Sequence, residues 1–191
     1  MAGPLPLELF EYDLPPDRIA QVPAVPRDSS RLMVLDRTSG IREHHRFTSL
    51  VSFLEPGDLL VVNHTKVIPA RVSARRPTGG KVEFLFHRAL NGSLFEATRW
   101  LVLGKPAKAL KEGSTVILDN GKVVQVVGRD GSMLEVESQE PLWPTLEEVG
   151  ELPLPPYIER TSGCTCSDRS DYQTVFAREL GAVAAPTASL H

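Results

Sequence analysis

Nine consecutive residues, Asn63-His64-Thr65-Lys66-Val67-Ile68-Pro69-Ala70-Arg71, carry a carboxamide, an imidazole, a hydroxyl, an ammonium and a guanidinium directly after the apolar run Leu59-Leu60-Val61-Val62. Polar groups on a loop at a strand end commonly build sites, because the strand fixes their positions; the same set also suits a capped turn with solvated cations. His64 and His87 are candidates for acid–base work, or ordinary polar residues. Thr78-Gly79-Gly80-Lys81 places paired glycines before a strand, where backbone amides can approach an anion without a helix macrodipole, or simply turn a hairpin. Cys164 and Cys166, one residue apart, are too close for an unstrained disulfide and too few for a four-ligand zinc site, so free thiols and no metal are expected. Walker, Rossmann, nucleophile-elbow and zinc-protease motifs are all absent.

Charge is segregated along the chain. Residues 59–82 contain no acid but five cations, Lys66, Arg71, Arg75, Arg76 and Lys81, and residues 97–111 add Arg99, Lys105, Lys108 and Lys111. Residues 130–159 hold eight acids and no Lys or Arg. The net charge of −3 makes the whole molecule no magnet for polyanions, but the cationic strips are candidate phosphate surfaces, or plain solvated faces. A hydrophobic share of 41% in 191 residues supports a real core and excludes a disordered chain. No apolar run approaches the roughly 18–20 residues of a membrane helix, and the N-terminus lacks a basic region followed by an apolar one. A cytoplasmic protein without membrane contact is expected.

The elements that position these residues follow from punctuation and periodicity. Six prolines in residues 1–30 predict an extended, turn-rich lead-in with one helical turn near 17–21. Strands are predicted over 32–36, 41–47 and 59–63, with extended chain over 66–74. Runs over 81–87, 94–101, 114–118, 122–127 and 133–137 are separated by turn residues, including Asn91-Gly92, Asn120-Gly121 and Asp130-Gly131, the pairs that tight hairpins favour. Consecutive antiparallel hairpins closing into a small barrel or curled sheet over roughly 70–140 are therefore expected. Thr145 with Glu148 resembles a capping box for a helix over 145–149 that Gly150 stops, and Ser167 or Ser170 predicts a second helix over 171–179. The sequence ends at His191 straight after an apolar stretch, which reads as a strand or loop cut short.

Taken in order, further fragments carry a resemblance: Tyr12-Asp13-Leu14-Pro15, Ile19-Ala20-Gln21, Pro23 with Arg27, Ser30-Arg31-Leu32, Gly57-Asp58, residues 63–71, Gly79-Gly80-Lys81-Val82-Glu83, Leu154-Pro155-Pro156-Tyr157-Ile158, Tyr172-Gln173-Thr174-Val175 and Ala184-Ala185-Pro186-Thr187-Ala188. Together they resemble the S-adenosylmethionine:tRNA ribosyltransferase-isomerases of queuosine biosynthesis. The resemblance implies a mixed α/β core, discontinuous over 1–69 and 141–191 and incomplete at its C-terminus, with an antiparallel β-barrel inserted over 70–140. It implies transfer and isomerisation of the ribosyl group of S-adenosylmethionine onto 7-aminomethyl-7-deazaguanine in tRNA, giving epoxyqueuosine-tRNA, adenine and methionine. S-adenosylmethionine is then a co-substrate, no metal or redox cofactor is needed, and a monomer is the default. An inactive tRNA-binding module, or a non-functional fragment of such an enzyme, is the alternative.

The chemistry distributes roles over the resembling residues. A base must remove the acidic C5′ proton beside the sulfonium, and departing adenine benefits from a proton donor; His191 and Tyr172 are the candidates for that proton network. Asn63, Thr65, Gln173, Thr174, Pro186 and Thr187 are candidates for binding the small substrate. Lys66, Arg71, Arg75, Arg76, Gly79, Gly80 and Lys81 suit tRNA phosphates, and Tyr157 can stack on a base. Three positions depart from the family pattern: His64 replaces the usual Asp or Asn, Leu180 the usual Pro, and Ser189 the usual Gly.

Overall fold

A computed structural model describes residues 5–161 and 163–190. Its middle third is a closed antiparallel barrel of six strands: β4 (Arg71–Arg75), β5 (Lys81–Ala89), β6 (Arg99–Lys105), β7 (Thr115–Leu118), β8 (Val123–Asp130) and β9 (Met133–Glu137). The spatial order is β4-β5-β6-β9-β8-β7, with β7 returning to β4. Alternation fills the interior. Val72, Ala74, Val82, Phe84, Phe86, Trp100, Val102, Val116, Leu118, Val124, Val126, Leu134 and Val136 all point inward and are buried. Phe86 stacks edge-to-face on Phe84 and on Trp100, with centroids at 6.2 and 5.7 Å, and the Trp100 indole N–H reaches Ala97 O.

The hairpins are not all consecutive. β9 lies between β6 and β8, so the link from β6 to β7 is a crossover through the turn Ala107–Ala109. β6 also starts at Arg99 and not near residue 94: residues 93–97 form a turn held by Asn91, whose Oδ1 accepts the N–H groups of Thr98 and Arg99. The Asn120-Gly121 turn behaves as expected, with Gly121 at φ +85°.

Helix α1 (Trp143–Val149) packs Trp143 and Leu146 into the barrel cluster. It begins two residues before the expected cap, and Thr145 and Glu148 do not form a capping box. Instead Asn120 Nδ2 donates to both, at 3.2 and 2.8 Å, which ties the helix to the β7–β8 turn. Gly150 follows the helix in an extended conformation at a point where only glycine fits: a Cβ there would lie 2.1 Å from Pro69 O and 2.3 Å from Leu146 O. Extended chain over 66–74 is likewise interrupted, because β3 (Thr65–Val67) and β4 belong to different sheets.

Outside the barrel the elements are mixed and short. β1 (Arg31–Leu35) and β2 (Arg42–Arg46) form a hairpin, β3 pairs in parallel with β10 (Glu179–Ala182), and α2 (Asp168–Asp171) and α3 (Thr187–Leu190) are single turns. The architecture is thus a mixed α/β core with an inserted barrel, as expected. Val67, Leu152, Leu154, Tyr172, Ala185 and Leu190 make a second, smaller cluster. An antiparallel bridge joins the two parts: Arg71 N–H donates to Glu151 O and Glu151 N–H to Arg71 O, at 3.0 and 2.8 Å.

Two predicted elements do not form. Residues 59–63 form no strand, and among the described residues their backbone pairs with no neighbour; pairing begins at His64, whose carbonyl accepts from the N–H groups of Arg178 and Glu179. Residues 171–179 leave the helical path at Tyr172 (φ −88°, ψ 38°), and the Asp171 and Gln173 carbonyls accept from Arg27. Among the described residues no helix is long and apolar enough to cross a membrane.

Candidate functional site

Three side chains, those of Gln21, Arg27 and Arg160, tie the second cluster to the N-terminal segment, and a fourth, that of Gln173, ties the cluster to itself. Gln173 acts as a strand: its Oε1 accepts Val67 N–H at 2.8 Å and its Nε2 donates to Val67 O at 2.9 Å. Gln21 does the same across the molecule, accepting Glu159 N–H and donating to Tyr157 O. Arg27 donates to three carbonyls, those of Asp171, Gln173 and Leu190, at 3.2, 2.6 and 2.9 Å. Arg160 grips Asp168 at 2.7 and 2.9 Å and also donates to Gln21 O.

These contacts frame a cavity of about 580 Å³ whose walls include Gln21, Arg27, Arg160, Asp168, Tyr172 and Leu190. Leu154 and Ile158 add apolar surface. A largely apolar hollow with a few fixed polar groups, in this size range, suits a small organic molecule. Its electrostatics are set by burial. Asp168 is only 2% exposed, yet the hydrogen bond from Arg160, helped by Thr165, holds its carboxyl at about 2, so it stays an anion. Burial pushes the Tyr172 phenol up from its ordinary value, against a hydrogen bond from the Ala185 backbone. Cys164 is pushed up as well and donates to Leu152 O, which makes it a protonated structural thiol; Cys166 is exposed, and both are free.

The sequence-predicted residues separate into two places. Tyr172 stands in the cavity wall beside Gln173. His191 lies outside the described residues, but its neighbour Leu190 lines the same wall. Thr174 is buried with its hydroxyl unpartnered, Pro186 and Thr187 open α3, and Thr65 is half-buried on β3 beside exposed Lys66. Asn63 Oδ1 accepts Thr65 N–H, a local turn. Tyr157 is partly exposed. Arg71 directs one N–H to Leu154 O, 3.1 Å away, and so pins the barrel junction.

Arg75, Gly79 and Lys81 instead meet on the barrel wall, in a second concavity of about 680 Å³ that shares no lining residue with the first. The Arg76 guanidinium lies over Gly80, where a Cβ would come within 2.3 Å of it. His64 is exposed, 4.0 Å from a Glu179 carboxylate oxygen, and His87 is the extra residue of a bulge in β5. Sequence reasoning assigned no role to Gln21, Arg27, Arg160 and Asp168. The first two stand in the resembling fragments; Arg160 and Asp168, eight apart, follow no motif.

Fold and site together define a cavity-bearing mixed α/β protein with an inserted barrel. A family model described as queuosine biosynthesis protein matches residues 7–191, and the chain belongs to that family. It is 46% identical over 193 residues to a protein of Anaeromyxobacter sp. (strain Fw109-5) named S-adenosylmethionine:tRNA ribosyltransferase-isomerase, covering 95% of this chain and 52% of that relative. It is 37% identical to the crystal structure of S-adenosylmethionine tRNA ribosyltransferase from Thermotoga maritima, over 73% of this chain and 48% of that one, with a TM-score of 0.39. The chain spans about half the length of the relatives it matches.

Proposed function

We propose that this chain serves the ribosyl transfer and isomerisation of queuosine biosynthesis: the ribosyl group of S-adenosylmethionine passes to 7-aminomethyl-7-deazaguanine in tRNA, giving epoxyqueuosine-tRNA, adenine and methionine. S-adenosylmethionine is co-substrate with no further cofactor, and the reaction runs in the cytoplasm on a monomer. The observation that carries the reading is the 46% identity across nearly the whole chain to a relative bearing that name. The cavity beside Tyr172 supports it, being of the size and polarity for a nucleoside.

In this reading Tyr172, in the cavity wall, and His191 belong to the proton network that removes the C5′ proton and protonates departing adenine. Asn63, Thr65, Thr174, Pro186 and Thr187 contact the small substrate. Gln173 contributes by locking β3 against the cavity wall, since both ends of its amide are engaged by Val67. Lys66, Arg71 and the barrel cations hold tRNA phosphates, and Tyr157 stacks on a base.

The test is adenine release from S-adenosylmethionine by the 191-residue chain, with and without tRNA carrying 7-aminomethyl-7-deazaguanine. Release dependent on the modified tRNA is expected, with Tyr172→Phe lowering its rate at least 100-fold. No release under conditions where a full-length relative works overturns the catalytic reading for this chain. Specific tRNA binding without turnover would then identify a binding module.

A further inference from the structure

The outer face of β4, β5 and β6 carries a charge pattern that folding does not explain. Side chains alternate along a strand, so Ser73 and Arg75 share this face with Lys81, Glu83 and Lys105. Register sets Arg75 directly opposite Lys81, and Glu83 opposite both Ser73 and Lys105. Like charges directly opposed on neighbouring strands destabilise a sheet. Among the described residues Arg75, Lys81 and Lys105 make no ion pair or side-chain hydrogen bond, although Glu83 and Asp119 line the same concavity. The concavity itself, about 680 Å³, is floored on one side by the glycine turn that Arg76 overlies. A Cβ at Gly80 would enter the space of that guanidinium, so the glycine lets Arg76 fold back against the turn.

We propose that this concavity binds the phosphodiester backbone of RNA, with Arg75, Lys81 and Lys105 as its contacts; Lys105 completes a site to which the glycine-lysine turn contributes one edge. The proposal rests on the reading of the chain as a tRNA-modification protein and gives its polyanion a location. Three cations from three adjacent strands grip a backbone, while Glu83 and Asp119 at the rim accept from exocyclic amines and keep the face from being a general anion trap. An anion between Arg75 and Lys81 removes the repulsion that the free sheet tolerates.

The experiment is fluorescence anisotropy of the 191-residue chain with labelled tRNA across a salt series, comparing wild type with Lys105→Gln, with the Arg75→Gln/Lys81→Gln/Lys105→Gln triple variant, and with Arg42→Gln, an exposed cation on the distant hairpin. Each lost phosphate contact lowers the slope of log K against log salt by about 0.7–1. The triple variant is expected to lose about 2–3 of slope and at least 10-fold in affinity near 0.1 M salt, Lys105→Gln about one unit, and Arg42→Gln nothing. Thermal melting guards against misfolding: removing opposed cations is expected to leave the Tm unchanged or raise it. Wild-type binding with an unaltered slope in the triple variant overturns the site and leaves the tRNA reading intact. An equal loss in Arg42→Gln also overturns it, since binding would then follow total charge. No binding of tRNA by wild type at 50 mM salt overturns both.

Discussion

The barrel and the N-terminal segment are built from similar residues and reach opposite ends. In the barrel every apolar alternation finds a facing side chain, and the sheet closes so that no strand edge is left open. Residues 5–62 contain as many Leu, Val and Phe per turn of chain, yet Leu7, Phe10, Met33, Val51, Leu59 and Val61 are exposed. The apolar share is similar, but residues 5–62 carry six prolines against two in residues 71–137, and their strands do not close on themselves. A run of strands that closes on itself completes its own core, whereas strands that need a neighbour stay unfinished without one. The cavity sits where the second region does obtain partners, and it obtains them through polar clamps from Gln21, Arg27 and Arg160 more than through apolar area.

This comparison breaks most readily at Phe84. Phe84→Ala removes a buried ring from the middle of the barrel and is expected to cost about 3–5 kcal/mol, lowering the Tm by roughly 10 °C. Denaturant unfolding measures it; a cost below about 1 kcal/mol would mean that the barrel is not the stable half. Next in size is the seam. Gly150→Ala drives a methyl group into the Pro69 carbonyl, a backbone atom that cannot swing aside, and should cost about 1–3 kcal/mol. A neutral result would show that α1 and the barrel junction move independently.

The barrel was legible in the sequence because its evidence is local: alternation, Asn-Gly and Asp-Gly turns, and strand lengths all lie within a few residues of one another. What was not legible depended on distant partners. The Thr145 and Glu148 pair looks like a cap, but Asn120, 25 residues away, takes both side chains. Residues 171–179 have helical composition, but Arg27 claims the carbonyls from 144 and 146 residues away. The Arg160–Asp168 pair is close in sequence and still carries no signature, since an ion pair is recognised only once burial is known.

That pair sharpens the comparison through pH. The Asp168 carboxyl lies at about 2 in the folded chain against an ordinary 3.8, so the folded state holds the anion and contributes stability above the unfolded value. The contribution is expected to fade as pH falls from about 4 toward 2, with the unfolded chain taking up the proton first. Asp168→Asn should lower the Tm by a few °C at pH 7 and flatten the melting curve's dependence on pH between 4 and 2 relative to wild type. An unchanged acid limb in the variant would remove the pair from the forces holding the cavity wall.

The smallest effect is expected where the sequence signal for a strand is strongest. Residues 59–62 are an unbroken apolar run, the pattern of a strand buried on both faces. Leu59 is nevertheless 87% exposed and Val61 82%, and among the described residues no strand pairs with their backbone N–H and C=O groups. A side chain that leaves no water on folding contributes no transfer free energy, whatever its hydropathy. Leu59→Ser and Val61→Ser should therefore each change unfolding free energy by no more than about 0.5 kcal/mol, while removing part of an apolar patch that favours self-association. Denaturant melts at low protein concentration, paired with light scattering at high concentration, separate the two effects. A loss of 2 kcal/mol or more in the dilute melt would place these residues in a packed strand, and the contrast with the barrel would then be one of degree.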